Sequence, residues 1–172
     1  MPLPPGPLVV TEHRVMDELS YEAGRTALRR FGHRVGARAL PGDVIALVGG
    51  LGAGKTFLAQ HLAHGAGVPP TTRVASPTFT IVQEHQGAIP FFHADLYRLG
   101  HPDELREIGL FERGLAGLVV VEWADRFPES VPPEALWVTL TPVSPSIRLL
   151  HARGAGDGAR RLLGLPPTAV SA

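Results

Sequence analysis

The amino-acid sequence predicts an α/β fold, a layered sandwich around a mixed, mainly parallel sheet with one antiparallel hairpin. Three observations carry this expectation. Val44–Val48 and Leu118–Val121 are short, continuous apolar runs with the composition of strands buried on both faces. Segments of helical composition separate the strand candidates, as in parallel sheets with crossover helices. Between the two runs, Thr78–Glu84 alternates apolar and polar residues, and Gln86-Gly87 then turns the chain back toward Phe91-Phe92-His93.

Taken in order, the Pro-rich opening through Pro7 reads as a loose tail. Tyr21 to Ala39 places Ala, Leu, Phe and Val among arginines at helical spacing, and Pro41-Gly42 ends that segment. After the first apolar strand and a glycine-rich stretch, Lys55 to about His64 has helical composition, closed by Pro69-Pro70. Pro102-Asp-Glu-Leu-Arg-Glu107 carries a helix-start signature, with acids in the first turn where they complement the helix dipole. Leu136–Leu140 and Ile147–His151 complete the set as late strands. From Gly154 the chain is rich in Gly, Arg and Pro. The expected organisation is one domain over residues 1–153 and a flexible tail over 154–172. No internal repeat is present.

Composition narrows the function. The 172 residues suffice for one domain with a real core, and the apolar fraction of 44% with 19% charged residues is that of a globular chain. Formal charge is zero, a poor footprint for a protein that holds nucleic acid unaided. The absence of cysteine rules out disulfides, thiolate metal sites and cysteine nucleophiles. MPLPPGPLVV lacks the basic region and long apolar stretch of a secretory signal. The apolar runs are too short to span a bilayer, so a cytoplasmic protein is expected.

The decisive motif is Gly49-Gly-Leu-Gly-Ala-Gly-Lys-Thr56, which contains the only lysine among 16 basic residues. It satisfies the phosphate-loop pattern, and it lies between an apolar strand and a helical segment, as that pattern requires. Glycines let backbone N–H groups converge on phosphate oxygens with no Cβ in the way. The following helix aims its free N–H groups and positive dipole end at the same anion. Leu51, Gly52, Ala53, Gly54, Lys55, Thr56 and Phe57 are therefore candidate nucleotide-binding residues. In that pattern the lysine reaches the outer phosphates and the Thr56 hydroxyl is placed for Mg²⁺.

A phosphate loop also needs an acidic partner, usually at the end of a neighbouring strand. Glu122 ends the second apolar run. Asp95, in His93-Ala-Asp-Leu-Tyr-Arg98, is the other candidate, with the alternative duty of capping the turn into Leu96-Tyr97-Arg98 or pairing with Arg98. Thr78, in Ser76-Pro-Thr78, is either a switch-like hydroxyl near the terminal phosphate or part of a turn. His61 and His64 lie one helical turn apart with no third ligand evident, and they read as a solvated face. Trp123 and Trp137 read as packing residues. The sole lysine is committed to the loop, so the guanine-selecting Asn-Lys-x-Asp motif is excluded. The arginines of His151–Arg161 suggest a lid of the kind small-molecule kinases close over ATP, though no substrate signature accompanies it.

In order and spacing, Leu51-Gly-Ala-Gly-Lys-Thr56, Ser76-Pro-Thr-Phe-Thr80, His93-Ala-Asp-Leu-Tyr-Arg-Leu99 and Val121-Glu-Trp123 resemble the TsaE family across about residues 20 to 150. The phosphate loop alone is generic; its combination with the other three is specific. The resemblance implies a three-layer sandwich like that of P-loop NTPases and an ATPase, weak alone, that uses ATP and Mg²⁺. It implies the partners TsaD and TsaB, which transfer threonylcarbamoyl to the adenosine beside the tRNA anticodon, with tRNA met only indirectly and no membrane. ATP use by this subunit then supports repeated turnover of that transfer. Lys55 would bind phosphates, Thr56 and Glu122 would hold Mg²⁺, Asp95 would serve hydrolysis and Thr78 would be switch-like. The chain departs from the family at Gly50, where Asp is usual, and at Phe57, where a second Thr is common. The competing readings are a small-molecule kinase and a nucleotide-dependent scaffold with little hydrolysis.

Overall fold

In the computed structural model, residues 16–77 and 79–167 are described. Seven strands form one sheet in the order β1-β7-β6-β2-β5-β4-β3. They are β1 (Met16–Ala23), β2 (Val44–Val48), β3 (Val82–His85), β4 (Phe91–Asp95), β5 (Leu118–Glu122), β6 (Leu136–Pro142) and β7 (Arg148–Ala155). The helices are α1 (Arg25–Ala37), α2 (Lys55–Gly65), α3 (Pro102–Ile108), α4 (Leu110–Gly114) and α5 (Gly156–Leu163). The four central strands β6, β2, β5 and β4 run parallel. The expected hairpin is β3–β4 at one edge, and a second antiparallel block, β6–β7–β1, closes the other.

The apolar runs are buried on both faces because the sheet lies between two helical layers. Side chains alternate along each strand. Ile45, Leu47, Leu118 and Val120 face the layer of α1, α2 and α5. Val44, Ala46, Val119 and Val121 face the side where Leu99, Leu105 and Leu110 pack. Each such Val, Leu or Ile contributes roughly 1.5–3 kcal/mol by leaving water. α1 and α2 touch backbone to backbone because their contact carries glycines. A Cβ at Gly36 would fall 2.1 Å from the Leu62 carbonyl oxygen, and one at Gly65 would fall 2.4 Å from that of His33. Among the described residues no helix is long and apolar enough to cross a membrane.

Three expectations change. The helix expected from Tyr21 begins only at Arg25, because Met16–Ala23 pairs along β7 as an edge strand. Most of that strand is exposed on both faces, so its sequence carries little alternation. The strand expected from Thr78 begins at Val82, and β4 runs on past His93 to Asp95. Finally, residues 154–163 do not form the expected flexible tail. Gly154 and Ala155 complete β7, and α5 follows with Ala159 and Leu162 buried. Arg161 reaches Asp43 through both terminal nitrogens, at 3.0 and 2.9 Å, and Arg160 pairs with Asp17. The Pro-rich opening, Thr78 and residues 168–172 lie outside the described residues.

Candidate nucleotide-phosphate site

β2 delivers the chain into the glycine loop, and α2 leads out of it. The turn into α2 needs glycine at Gly54, whose φ of 106° lies in the left-handed region. Gly49 allows a close approach: a Cβ there would fall 2.7 Å from the Leu140 carbonyl oxygen. Among the described residues no side chain caps the N-terminus of α2, so its first N–H groups remain available to an anion. Around Gly50 and Gly52 an added Cβ would meet none of the described residues within 4 Å, which leaves space beside the loop backbone. Arg148, at the start of β7, fixes the loop from outside: its Nε donates to the Ala53 carbonyl at 3.0 Å and an Nη to that of Gly52 at 3.3 Å.

Lys55 is nearly buried. Its Nζ donates to the carbonyls of Gly49 at 2.6 Å and Gly50 at 2.9 Å. It also lies 3.9 Å from the centre of the Trp123 ring, a cation–π contact. Burial lowers the pKa of its ammonium, against the opposing pull of the carboxylates of Glu122, Asp95 and Asp125.

The acids come together because β4 and β5 are parallel neighbours that end in register, Asp95 beside Glu122. Glu122 is buried and both its oxygens are engaged. Thr56 Oγ1 donates to Oε2 at 3.0 Å, and His93 Nε2 lies 2.8 Å from Oε1. A carboxylate only accepts, so Nε2 is the protonated nitrogen of His93. Asp95 accepts from the Ser76 hydroxyl through Oδ2 and from the Tyr97 backbone N–H through Oδ1, the latter at 2.9 Å. The turn-capping duty is thus real, and Asp95 also lines a cleft of about 260 Å³ shared with Leu51, Ser76, Phe79, Tyr97, Arg98 and Trp123.

The structure therefore gathers Lys55, Thr56, Glu122 and Asp95 at the ends of β2, β4 and β5. The Phe57 ring turns away from this group, although its backbone stays in the first turn of α2. The ring lies 4.3 Å from the Arg25 guanidinium and 4.5 Å from the His61 ring, on the α1 side of α2. Thr78 lies outside the described residues. Reading the sequence missed His93 as the partner of Glu122, Ser76 as the partner of Asp95, and Arg148 as the brace of the loop. Trp123, read from the sequence as a packing residue next to a candidate metal ligand, adopts φ 56° and ψ 36° and lies against both Lys55 and the Tyr97 ring, 4.9 Å away. The arginine lid is also displaced. Arg161 bonds Asp43, which precedes β2, whereas the phosphate loop follows Val48 at the other end of that strand.

The fold has solved counterparts. The crystal structure of YdiB from Bacillus subtilis superposes with a TM-score of 0.69 at 28% identity, covering 87% of this chain and 94% of that one. The tRNA threonylcarbamoyladenosine biosynthesis protein TsaE of the same bacterium is 43% identical over 106 residues, which is 60% of this chain and 65% of that protein. The protein of that name from Nostoc is 40% identical over 112 residues, 62% of this chain and 67% of that protein. The chain thus spans about two thirds of the length of these relatives. The family model described as threonylcarbamoyl adenosine biosynthesis protein TsaE matches residues 23–148, from the end of the first strand to the arginine that braces the loop. With the glycine loop, the Asp95–Glu122 register and the Trp123 turn all inside that span, the chain belongs to the TsaE family of tRNA threonylcarbamoyladenosine biosynthesis proteins.

Proposed function

We propose that this chain is the Mg²⁺-dependent ATPase subunit of a cytoplasmic tRNA threonylcarbamoylation system, weak alone and driven by TsaB and TsaD. The observation that carries the reading is the chain Thr56–Glu122–His93, with Glu122 and His93 buried, beside Lys55 at the mouth of the glycine loop. The donors fit a hard divalent cation: a hydroxyl and carboxylate oxygens, with the nearby imidazole turned to the carboxylate. Thr56 and Glu122 would hold Mg²⁺, whose chemistry there is to neutralise charge on the phosphate oxygens.

The rest of the mechanism belongs to the chain's own groups. The N–H groups of the loop from Leu51 to Phe57 would bind the phosphates. Lys55 would exchange the Gly49 and Gly50 carbonyls for phosphate oxygens and stabilise charge developing on the transferring phosphoryl group. Asp95, fixed by Ser76 and the Tyr97 N–H, would orient a water in line with the terminal phosphorus. The bond from water oxygen to phosphorus forms as the bond to the bridging oxygen breaks, yielding ADP and phosphate. Neutral net charge suits a subunit that leaves the tRNA to its partners.

The test is ATP hydrolysis with Mg²⁺, first alone and then with TsaB and TsaD from the same source. Slow hydrolysis that rises with the partners is expected. Phosphoryl transfer that appears only with a small hydroxylated substrate would make the chain a kinase. Binding without turnover in the presence of both partners would make it a scaffold.

A further inference from the structure

Away from the phosphate site, α1 and α2 bring three imidazoles together. His61 and His64 stand three residues apart on one face of α2, and His33 faces them from α1. One ligand nitrogen from each lies within 4.8 Å of the others. The ring centres are 5.4 Å apart for His33 and His61, 6.1 Å for His33 and His64, and 5.7 Å for His61 and His64. The third ligand comes from a helix nearly thirty residues earlier, which is why the spacing of His61 and His64 alone does not reveal a site.

The juxtaposition is built into the helix contact. A Cβ at Gly32 would fall 2.8 Å from the His61 Cβ, and one at Gly65 would fall 2.4 Å from the His33 carbonyl oxygen. Glycines at these two positions let the backbones approach closely at this level, so the imidazoles project from rigid elements. An independent observation points to a ligand. His61 Nδ1 and His64 Nε2 are buried nitrogens with no hydrogen-bond partner among the described residues, a state that buried polar atoms rarely occupy without reason.

We propose that His33, His61 and His64 form a binding site for a divalent transition-metal ion that clamps α1 to α2. An all-imidazole set suits Zn²⁺, Ni²⁺ or Cu²⁺ and not the hard ions Mg²⁺ and Ca²⁺, so the site is chemically distinct from the oxygen donors around Thr56. A tetrahedral zinc at about 2.0–2.1 Å from each nitrogen sets the nitrogens about 3.3 Å apart. The ligand nitrogens lie within 4.8 Å of one another, so metal binding would draw them together by side-chain rotation. His33 is exposed, which leaves a fourth position for water. Arg25 and Arg29 lie close enough to act on the charge of His61. The set contains no carboxylate, so its affinity rests on the three nitrogens together.

The test is calorimetric titration of the untagged, chelator-treated full chain with Zn²⁺ in the presence of excess Mg²⁺. One equivalent of Zn²⁺ is expected to bind and to raise the thermal midpoint. His33→Asn, an exposed change that leaves the metal-free fold and midpoint intact, is expected to weaken binding at least about tenfold, since loss of even an indirect supporting group costs that much. Glu122→Gln is expected to retain the full equivalent. Failure to bind Zn²⁺ or Ni²⁺ at millimolar concentration would overturn the proposal. So would binding that His33→Asn, His61→Asn and His64→Asn each leave unchanged, or that Glu122→Gln abolishes.

Discussion

Glu122 holds a hydroxyl with one carboxylate oxygen and an imidazole with the other, inside a site where it is 2% exposed. Replacing it with alanine would strand the buried His93 and the half-buried Thr56 hydroxyl at a cost of about 1–3 kcal/mol, mixing stability with chemistry. Glu122→Gln keeps the shape and removes the charge. We expect it to bind ATP with near-normal affinity and to lose at least about tenfold in Mg²⁺-dependent hydrolysis, because the metal partner becomes neutral. Hydrolysis at the normal rate would reduce Glu122 to a buried strand end. Lys55 gives the complementary result: Lys55→Ala should abolish measurable ATP binding by calorimetry, and unchanged affinity would remove the phosphate-loop assignment. Both residues were legible in the sequence because each stands at the end of an unmistakable apolar strand or its loop. His93, Ser76 and Arg148 were not legible as partners, since each contact joins residues far apart in the chain, through strand register for His93 and through the packing of loops for Ser76 and Arg148.

At the scale of elements, α5 shows how composition misleads. Its sequence, Gly-Asp-Gly-Ala-Arg-Arg-Leu-Leu, places two glycines and an aspartate, all poor helix formers, in its first three positions, and so reads as a fraying end. Tertiary packing overrides that propensity. Ala159 and Leu162 are buried in the core shared with α1 and α2, and Arg160 and Arg161 tie the helix to Asp17 and Asp43. Gly154 lets α5 fold back closely, since a Cβ there would fall 2.6 Å from that of Ala159. Leu162→Ala should therefore lower stability by about 2–3 kcal/mol, read from the urea midpoint with an unchanged slope. A change within about 0.5 kcal/mol would return this segment to the status of a surface appendage. β1 was missed for the opposite reason: its stability comes from the ladder with β7, and its exposed faces record no core pattern.

At the scale of the whole molecule, the parallel centre was legible because strands buried on both faces must be apolar throughout, while the edges were read poorly because solvent relaxes that demand. The edges also carry two titrating groups that respond to opposite ends of the pH scale. On β3, burial lowers the pKa of His85, and the nearby His93 of β4 lowers it further. On β1, burial raises the Tyr21 phenol, with the α1 residue Arg34 pulling the other way. Stability rises with pH wherever the unfolded chain binds more protons, and falls where it binds fewer. Unfolded His85 takes up its proton first as pH drops below about 6.5, so its contribution to stability is present above that value and is lost on acidification. Unfolded Tyr21 releases its proton first as pH passes about 10, so its contribution is present below that value and is lost on the alkaline side. Each group alone makes the urea midpoint fall at its own end of the range from pH 5 to 11, while Lys55, whose pKa burial lowers, acts in the opposite sense on the alkaline side. His85→Gln should make only the acid limb shallower, the rest of that limb belonging to His33 and His61, whose pKa values burial also lowers, and Tyr21→Phe should change only the alkaline limb. Two variants whose limbs run parallel to the wild type would show that neither edge strand buries its titrating side chain in solution, and that the sheet's rigid part ends at its four parallel strands.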